Sequence, residues 1–194
     1  MRRIIAALAL LSAPSLFAHS QDINITTNGE DDVMSCSQIH VTFDHQAAVT
    51  AEQELPVGNL SSLKINSDQN GGIRVTGWDQ PRYAVTVCKA AAAPSTLAAI
   101  RAHLSANEVT LSAPDSESQW VVHYLVHTPR NATLDVSTHN GPVGLHHVNG
   151  TLTVHAQNGP IALKDSSGTI EATAVNGPIA LAGGSGNVKI AATN

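Results

Sequence analysis

From Thr133 to the end of the chain, apolar and polar positions recur with a nine-residue period. Units begin at Thr133, Pro142, Thr151, Pro160, Thr169, Pro178 and Asn187. The second position is Leu134, Val143, Leu152, Ile161, Ile170, Ile179 and Val188, and the fourth is Val136, Leu145, Val154, Leu163, Ala172, Leu181 and Ile190. Side chains alternate along a strand with period two, so these two positions share one face. The eighth position is Asn or Ser, and the ninth is glycine wherever it occurs: Gly141, Gly150, Gly159, Gly168, Gly177 and Gly186. Asn-Gly turns the chain because both residues tolerate positive φ. One nine-residue unit cannot bury its apolar face alone, so the units must stack.

A second period lies over the first. Position one alternates between threonine and proline, which makes the repeating coil about eighteen residues with two unlike sides. Successive coils then stand ~4.8 Å apart. Asn140, Asn158 and Asn176 are expected to form an amide ladder along one corner, each followed by Gly141, Gly159 or Gly177. The prolines fall at a strand start, where a missing N–H is tolerated.

Upstream, the same alternation appears in shorter pieces: Leu63/Ile65, Ile73/Val75, Val85/Val87, and Trp120, Val122, Tyr124 and Val126. Ile39–Phe43 and Glu108–Leu111 also read as strands. One helical pattern runs from Ser95 to Leu104, with Leu97, Ile100 and Leu104 on a face and Ser95 as N-cap. The fold class is therefore all-β: a single-stranded β-solenoid of nine-residue units, with irregular N-terminal strands and one short helix. Residues 19–54 read as an N-terminal strand region or cap, and 55–194 as the solenoid domain, whose regular array spans 133–194. Since the last unit stops one residue short of its glycine, the array is expected to be truncated or covered by another chain at that end.

The first eighteen residues stand apart. Arg2 and Arg3, an apolar run from Ile4 to Leu11 and a small-residue end at Ala18 form a signal peptide, too short to span a membrane. With Arg2 and Arg3 gone, eight Lys+Arg face fifteen Asp+Glu, a formal charge of −7. Such a chain has no electrostatic footprint for nucleic acid. The expected location is the periplasm, cell surface or extracellular space, with no integral membrane segment after cleavage. In an oxidising compartment Cys36 and Cys88 are expected to form a disulfide rather than stay as two buried thiols.

Three stretches resemble the bacterial putative-adhesin, adhesin-head-like β-solenoid family: Leu63-Lys64-Ile65-Asn66 through Asn70-Gly71-Gly72-Ile73-Arg74-Val75-Thr76-Gly77-Trp78-Asp79, Tyr124 to Pro129, and the repeat array. The resemblance spans about residues 50 to 194. It implies an exported, non-catalytic solenoid and supplies no catalytic residues.

Candidate chemistry is sparse. His146 and His155 occupy position five of adjacent units and face opposite sides of a coil, so they are expected as solvated outward residues, not as metal ligands. Asp135 and Glu171 lie two coils apart, roughly 9.6 Å by strand spacing, at the long end of the span an inverting glycosidase uses. Glu171 and Lys189 are expected to pair across adjacent coils. The outward positions Gly144, His146, Ala162, Lys164, Ala180 and Ala182 form a flat, small-residue face suited to an envelope glycan, another solenoid or a protein surface. No cofactor, metal site or catalytic residue is indicated, and the chain is expected to be an adhesin-like binding or structural envelope protein. The alternative is a carbohydrate-active β-helix, a polysaccharide lyase or hydrolase, with Trp78, Asp79, Trp120 and Tyr124 lining a sugar site.

Overall fold

The computed structural model describes residues 22–28, 33–115 and 118–193. The expected signal peptide, residues 1–18, lies outside them. Among the described residues the architecture is all-β with one short α-helix and a single 3-10 turn at Cys36–Gln38. Three strands, β1 (Ile23–Thr27), β2 (Ile39–Phe43) and β3 (Gln46–Ala47), form a small antiparallel sheet in that order. The chain then passes into a twelve-stranded sheet, beginning with β4 (Val49–Leu55), which crosses the boundary read between residues 54 and 55. There follow β5 (Leu63–Asn70), β6 (Ile73–Trp78), β7 (Ala84–Ala91), α1 (Pro94–Ala99), β8 (Arg101–Ser105), β9 (Glu108–Ser112) and β10 (Trp120–Pro129). The array supplies β11 (Asn131–Asn140), β12 (Val143–His146), β13 (Asn149–Asn158), β14 (Ile161–Asn176) and β15 (Ile179–Ala192).

The strands of the array pair in parallel at a constant offset. Leu134 lies opposite Leu152, Leu152 opposite Ile170 and Ile170 opposite Val188; on the other side Val143 lies opposite Ile161 and Ile161 opposite Ile179. Each step is eighteen residues. The upstream strands continue both rows, since β5 pairs with β11 and β6 with β12. The facing aliphatic residues at positions two and four are almost wholly buried as far as Ile170 and Ala172 and make up the main core. Burying each larger side chain contributes roughly 1.5–3 kcal/mol. At the far edge Leu181 and Ile190 of β15 are each 44% exposed.

The large sheet curls round until its end strands β4 and β8 meet, which gives it a nearly closed, barrel-like form. The inward Gln53 amide bridges the gap: Nε2 donates to the Ala102 carbonyl at 2.7 Å, and Oε1 accepts from the Ala102 N–H at 3.3 Å. The buried Lys89 ammonium donates to the same Oε1 at 3.2 Å and to the Ile100 carbonyl at 3.3 Å. Burial and then the nearby Arg101 charge hold its pKa below the ordinary lysine value.

The two sides of the repeat turn by different means. Odd units close through Asn-Gly, whereas even units bend at position six, where His147, Asp165 and Gly183 all have left-handed φ of 50° to 64°. The prolines stand just before β12, β14 and β15, and each still lends its carbonyl to the preceding coil, as when the Ile161 N–H donates to Pro178 at 3.0 Å.

The helix differs from expectation. It covers only Pro94–Ala99, with Pro94 at its first turn and Ala93, not Ser95, at its N-cap. Ile100 leaves it at an extended ψ of 117°, and Arg101–Ser105 alternates exposed and buried as strand β8. The apolar spacing of Ile100 and Leu104 suits either element, and antiparallel pairing with β9 decides for the strand.

Candidate functional site

The corner ladder is assembled in register. Asn140 Nδ2 donates to Asn70 Oδ1 at 3.2 Å, Asn158 Nδ2 to Asn140 Oδ1 at 2.8 Å, and Asn176 Nδ2 to Asn158 Oδ1 at 2.8 Å. Gly141, Gly159 and Gly177 follow one above another. A Cβ on Gly159 or on Gly177 would lie 2.2 Å from the carbonyl oxygen of the glycine below, so only glycine permits this close stacking. The ladder is thus a structural seam whose amides are occupied with one another.

The outer face of β7 and β10 carries a cover. Cys36 and Cys88 are joined by a disulfide with Cα atoms 5.3 Å apart. This ties the β1–β3 sheet to β7, and Ile39, Val41 and Phe43 of β2 pack on Ala90, Val121 and Leu125 as a second core. Residues opposite each other across strands share a face, so Ile25, opposite Val41, also points toward the large sheet. Between β1 and the outer faces of β6, β12 and β14 lies a mainly apolar groove of about 370 Å³.

Two basic side chains mark its floor. Arg74 reaches from β6 across the next coil, and its guanidinium lies over Gly144, where an added Cβ would meet Nη1 at 3.2 Å. Nη1 donates to His146 Nε2 at 2.8 Å. A guanidinium has no acceptor, so this Nε2 carries the lone pair. Among the described residues, no carboxylate pairs with Arg74. On β10, His123 Nδ1 accepts the Gly72 N–H at 3.1 Å. Burial lowers the His123 pKa to about 4, so near neutral pH the ring is uncharged with its proton on Nε2.

The flat face expected from the sequence is therefore only partly open. Gly144 and His146 are buried, His146 to 5% exposure, because Arg74 from an earlier coil covers them. The expectation of a solvated His146 is corrected on that ground. Ala162, Ala180 and Ala182 remain exposed as a shelf beyond the groove, with Lys164 half-buried among them. His155 lies in the other row, between Ser137 and Thr173. Among the described residues, no three His, Cys, Asp or Glu side chains group as metal ligands would.

The acids do not converge. Asp135, Thr153, Glu171 and Lys189 follow one another across the ladder, and Lys189 Nζ donates to Glu171 Oε1 at 2.7 Å. Nor does the alternative sugar site form. Trp120 and Tyr124 point inward and are 4% and 0% exposed. Asp79 pairs instead with Arg130, which holds its carboxyl below the ordinary value. Trp78 packs against His127 at 5.0 Å between ring centres, with the Arg82 guanidinium 5.1 Å from its own ring. The sequence reading missed Arg74 and His123. Their alternation with the inward Ile73, Val75, Val122 and Tyr124 was the available signal that both point outward.

No family model matches this chain, and neither does any curated protein. Among solved structures, the chain is similar to a putative cell adhesion protein from Clostridium sporogenes, at 8% identity and a TM-score of 0.33, covering 75% of this chain and 99% of that one. It is similar to a putative adhesin from Bacteroides fragilis, at 14% identity and a TM-score of 0.30, covering 74% and 97%. A putative lipid binding protein from Parabacteroides distasonis matches at 11% identity and a TM-score of 0.37, covering 72% and 73%. Structures described as adhesins are thus among those this chain is similar to. With TM-scores below 0.5, these likenesses carry no argument about what it binds.

Proposed function

We propose that the chain is an exported, non-catalytic β-solenoid acting as an adhesin-like binding or structural protein of the cell envelope. The constant eighteen-residue parallel register on both sides of the array supports this reading. It devotes almost every inward side chain to packing, and the seam amides to one another. What remains for function is surface: the groove under β1 and the small-residue shelf beside it. The reading takes residues 1–18 as the export signal, and takes an envelope glycan or a protein surface as the partner.

The test is sedimentation of the purified chain with cell-envelope polysaccharide, with sugar assayed in the supernatant. Protein in the pellet without released sugar is the expected result. Sugar released by the chain and lost in the Asp135→Asn, Glu171→Gln double variant would overturn the non-catalytic reading.

A further inference from the structure

Among the described residues, the small sheet ends in an unpaired edge at β1. The Asp44 N–H donates to the Asp22 carbonyl and the Asn28 N–H to the Gln38 carbonyl, both at 2.9 Å. In an antiparallel pair, hydrogen-bonded and non-hydrogen-bonded residues alternate. The bonds to β2 therefore come from Asn24 and Thr26, while Ile23, Ile25 and Thr27 turn their main-chain groups away from it. Among the described residues, no strand takes these groups up.

Below and beside that edge the large sheet continues. The groove is floored by Arg74 and Gly144 and reaches Ala162 of β14, with Ala180 of β15 one strand farther on. A strand hydrogen-bonded to β1 would lie ~4.8 Å from it, and packed sheets stand ~10 Å apart. Such a strand would overlie the groove, where the small Ala162 side chain leaves room for larger side chains pointing down, toward the exposed Ala180 beside it.

We propose that the free edge of β1 receives an extended polypeptide segment of a partner protein, which adds a fourth strand to the small sheet and lays alternate apolar side chains on the alanine shelf. Main-chain bonds to Ile23, Ile25 and Thr27 supply the pairing, and the shelf selects the side chains. Arg74, which pairs with no carboxylate among the described residues, selects an acidic residue at the downward position nearest to it. The inference goes beyond the envelope-binding reading and does not require the envelope ligand to be a glycan.

The probe is a library of labelled heptapeptides with valine or glutamate at alternate positions and random residues between, titrated by fluorescence anisotropy. Ile25→Pro removes one edge N–H without touching a bond to β2, and edge strands tolerate proline. Ile25→Val retains both the N–H and an apolar side chain. Selected peptides are expected to bind Ile25→Val within about twofold of the parent and Ile25→Pro at least about tenfold more weakly. Saturating peptide should also slow amide exchange at Ile23, Ile25 and Thr27 of the unsubstituted chain. That measurement retains the test if proline loosens the small sheet. Failure to enrich any peptide, or unchanged exchange at those amides on binding, would overturn the proposal. So would binding that survives Ile25→Pro but is lost in Arg74→Ala, which would mean capture by side chains alone.

Discussion

Lowering the pH from about 6.5 to about 4 should destabilise this fold through His123 in particular. The imidazole is half-buried on β10, where its Nδ1 accepts the Gly72 N–H and burial lowers its pKa to about 4. In the unfolded chain the same ring titrates near the ordinary 6.5. Between these values the unfolded state binds the extra proton, so stability falls as the pH falls. At ~1.36 kcal/mol per pKa unit the full loss is about 3 kcal/mol, absent above pH 6.5 and complete below about 4. The assay is urea unfolding at intervals between pH 4 and 7.5, with the disulfide intact and ionic strength fixed. His123→Asn is the comparison, since its amide oxygen can still accept the Gly72 N–H but cannot titrate. Carboxylates contribute alike to both chains, as does His127, whose pKa burial also lowers. The difference between the two curves therefore isolates His123. It should grow by up to about 1.4 kcal/mol per pH unit inside the window. A difference curve flat to within about 0.5 kcal/mol would refute the reasoning, as would a His123 resonance titrating near 6.5 by NMR.

Reducing the Cys36–Cys88 disulfide, which spans 52 residues, should lower stability by up to about 4 kcal/mol. Amide exchange should then quicken first in β1–β3, leaving the array strands protected. Gly168→Ala places a Cβ 2.2 Å from the Gly150 carbonyl oxygen at a φ of +109° and should cost more than about 2 kcal/mol in urea unfolding. Gly58→Ala, with open space around it, is the control and should change little. Asn158→Ala removes one bond given and one received in the seam, and should lower the thermal midpoint by an amount corresponding to about 1 kcal/mol.

Much of the architecture was legible because the array is a local code. Each nine-residue unit states its own inward pair and its own turn, so one phase fixes which residues stack on which. The eighteen-residue pairing of Leu134, Leu152, Ile170 and Val188 follows from that phase alone. Where the pattern is short, the same rule loses its force. Ile100 and Leu104 satisfy a helical spacing as readily as a strand, and the choice falls to a β9 partner that no local pattern names. The left-handed bend at His147 and Asp165 was hidden for a similar reason, since neither residue type announces it as Asn-Gly does.

The groove was illegible because nothing in it is local. Position five of an even unit reads as outward, and His146 does point outward, yet Arg74 from a coil far earlier in sequence covers it. The alternation Ile39, Val41, Phe43 marks a strand with one apolar face but does not say that the face lands on Val121 and Leu125. That placement depends on the disulfide and on a second core built from residues about eighty positions apart. Two consequences follow from one arrangement. The cover buries the apolar outer face of β10 and lowers the His123 pKa, while its last strand, β1, is left over the groove with one edge unpaired among the described residues. A repeat built from nearly identical nine-residue units has no preferred place along its length to bind anything; the non-repeating three-stranded sheet clamped onto one side provides that place. If the proposed pairing is right, binding should track the Cys36–Cys88 clamp and the β1 edge together with the part of the repeat that lies under them.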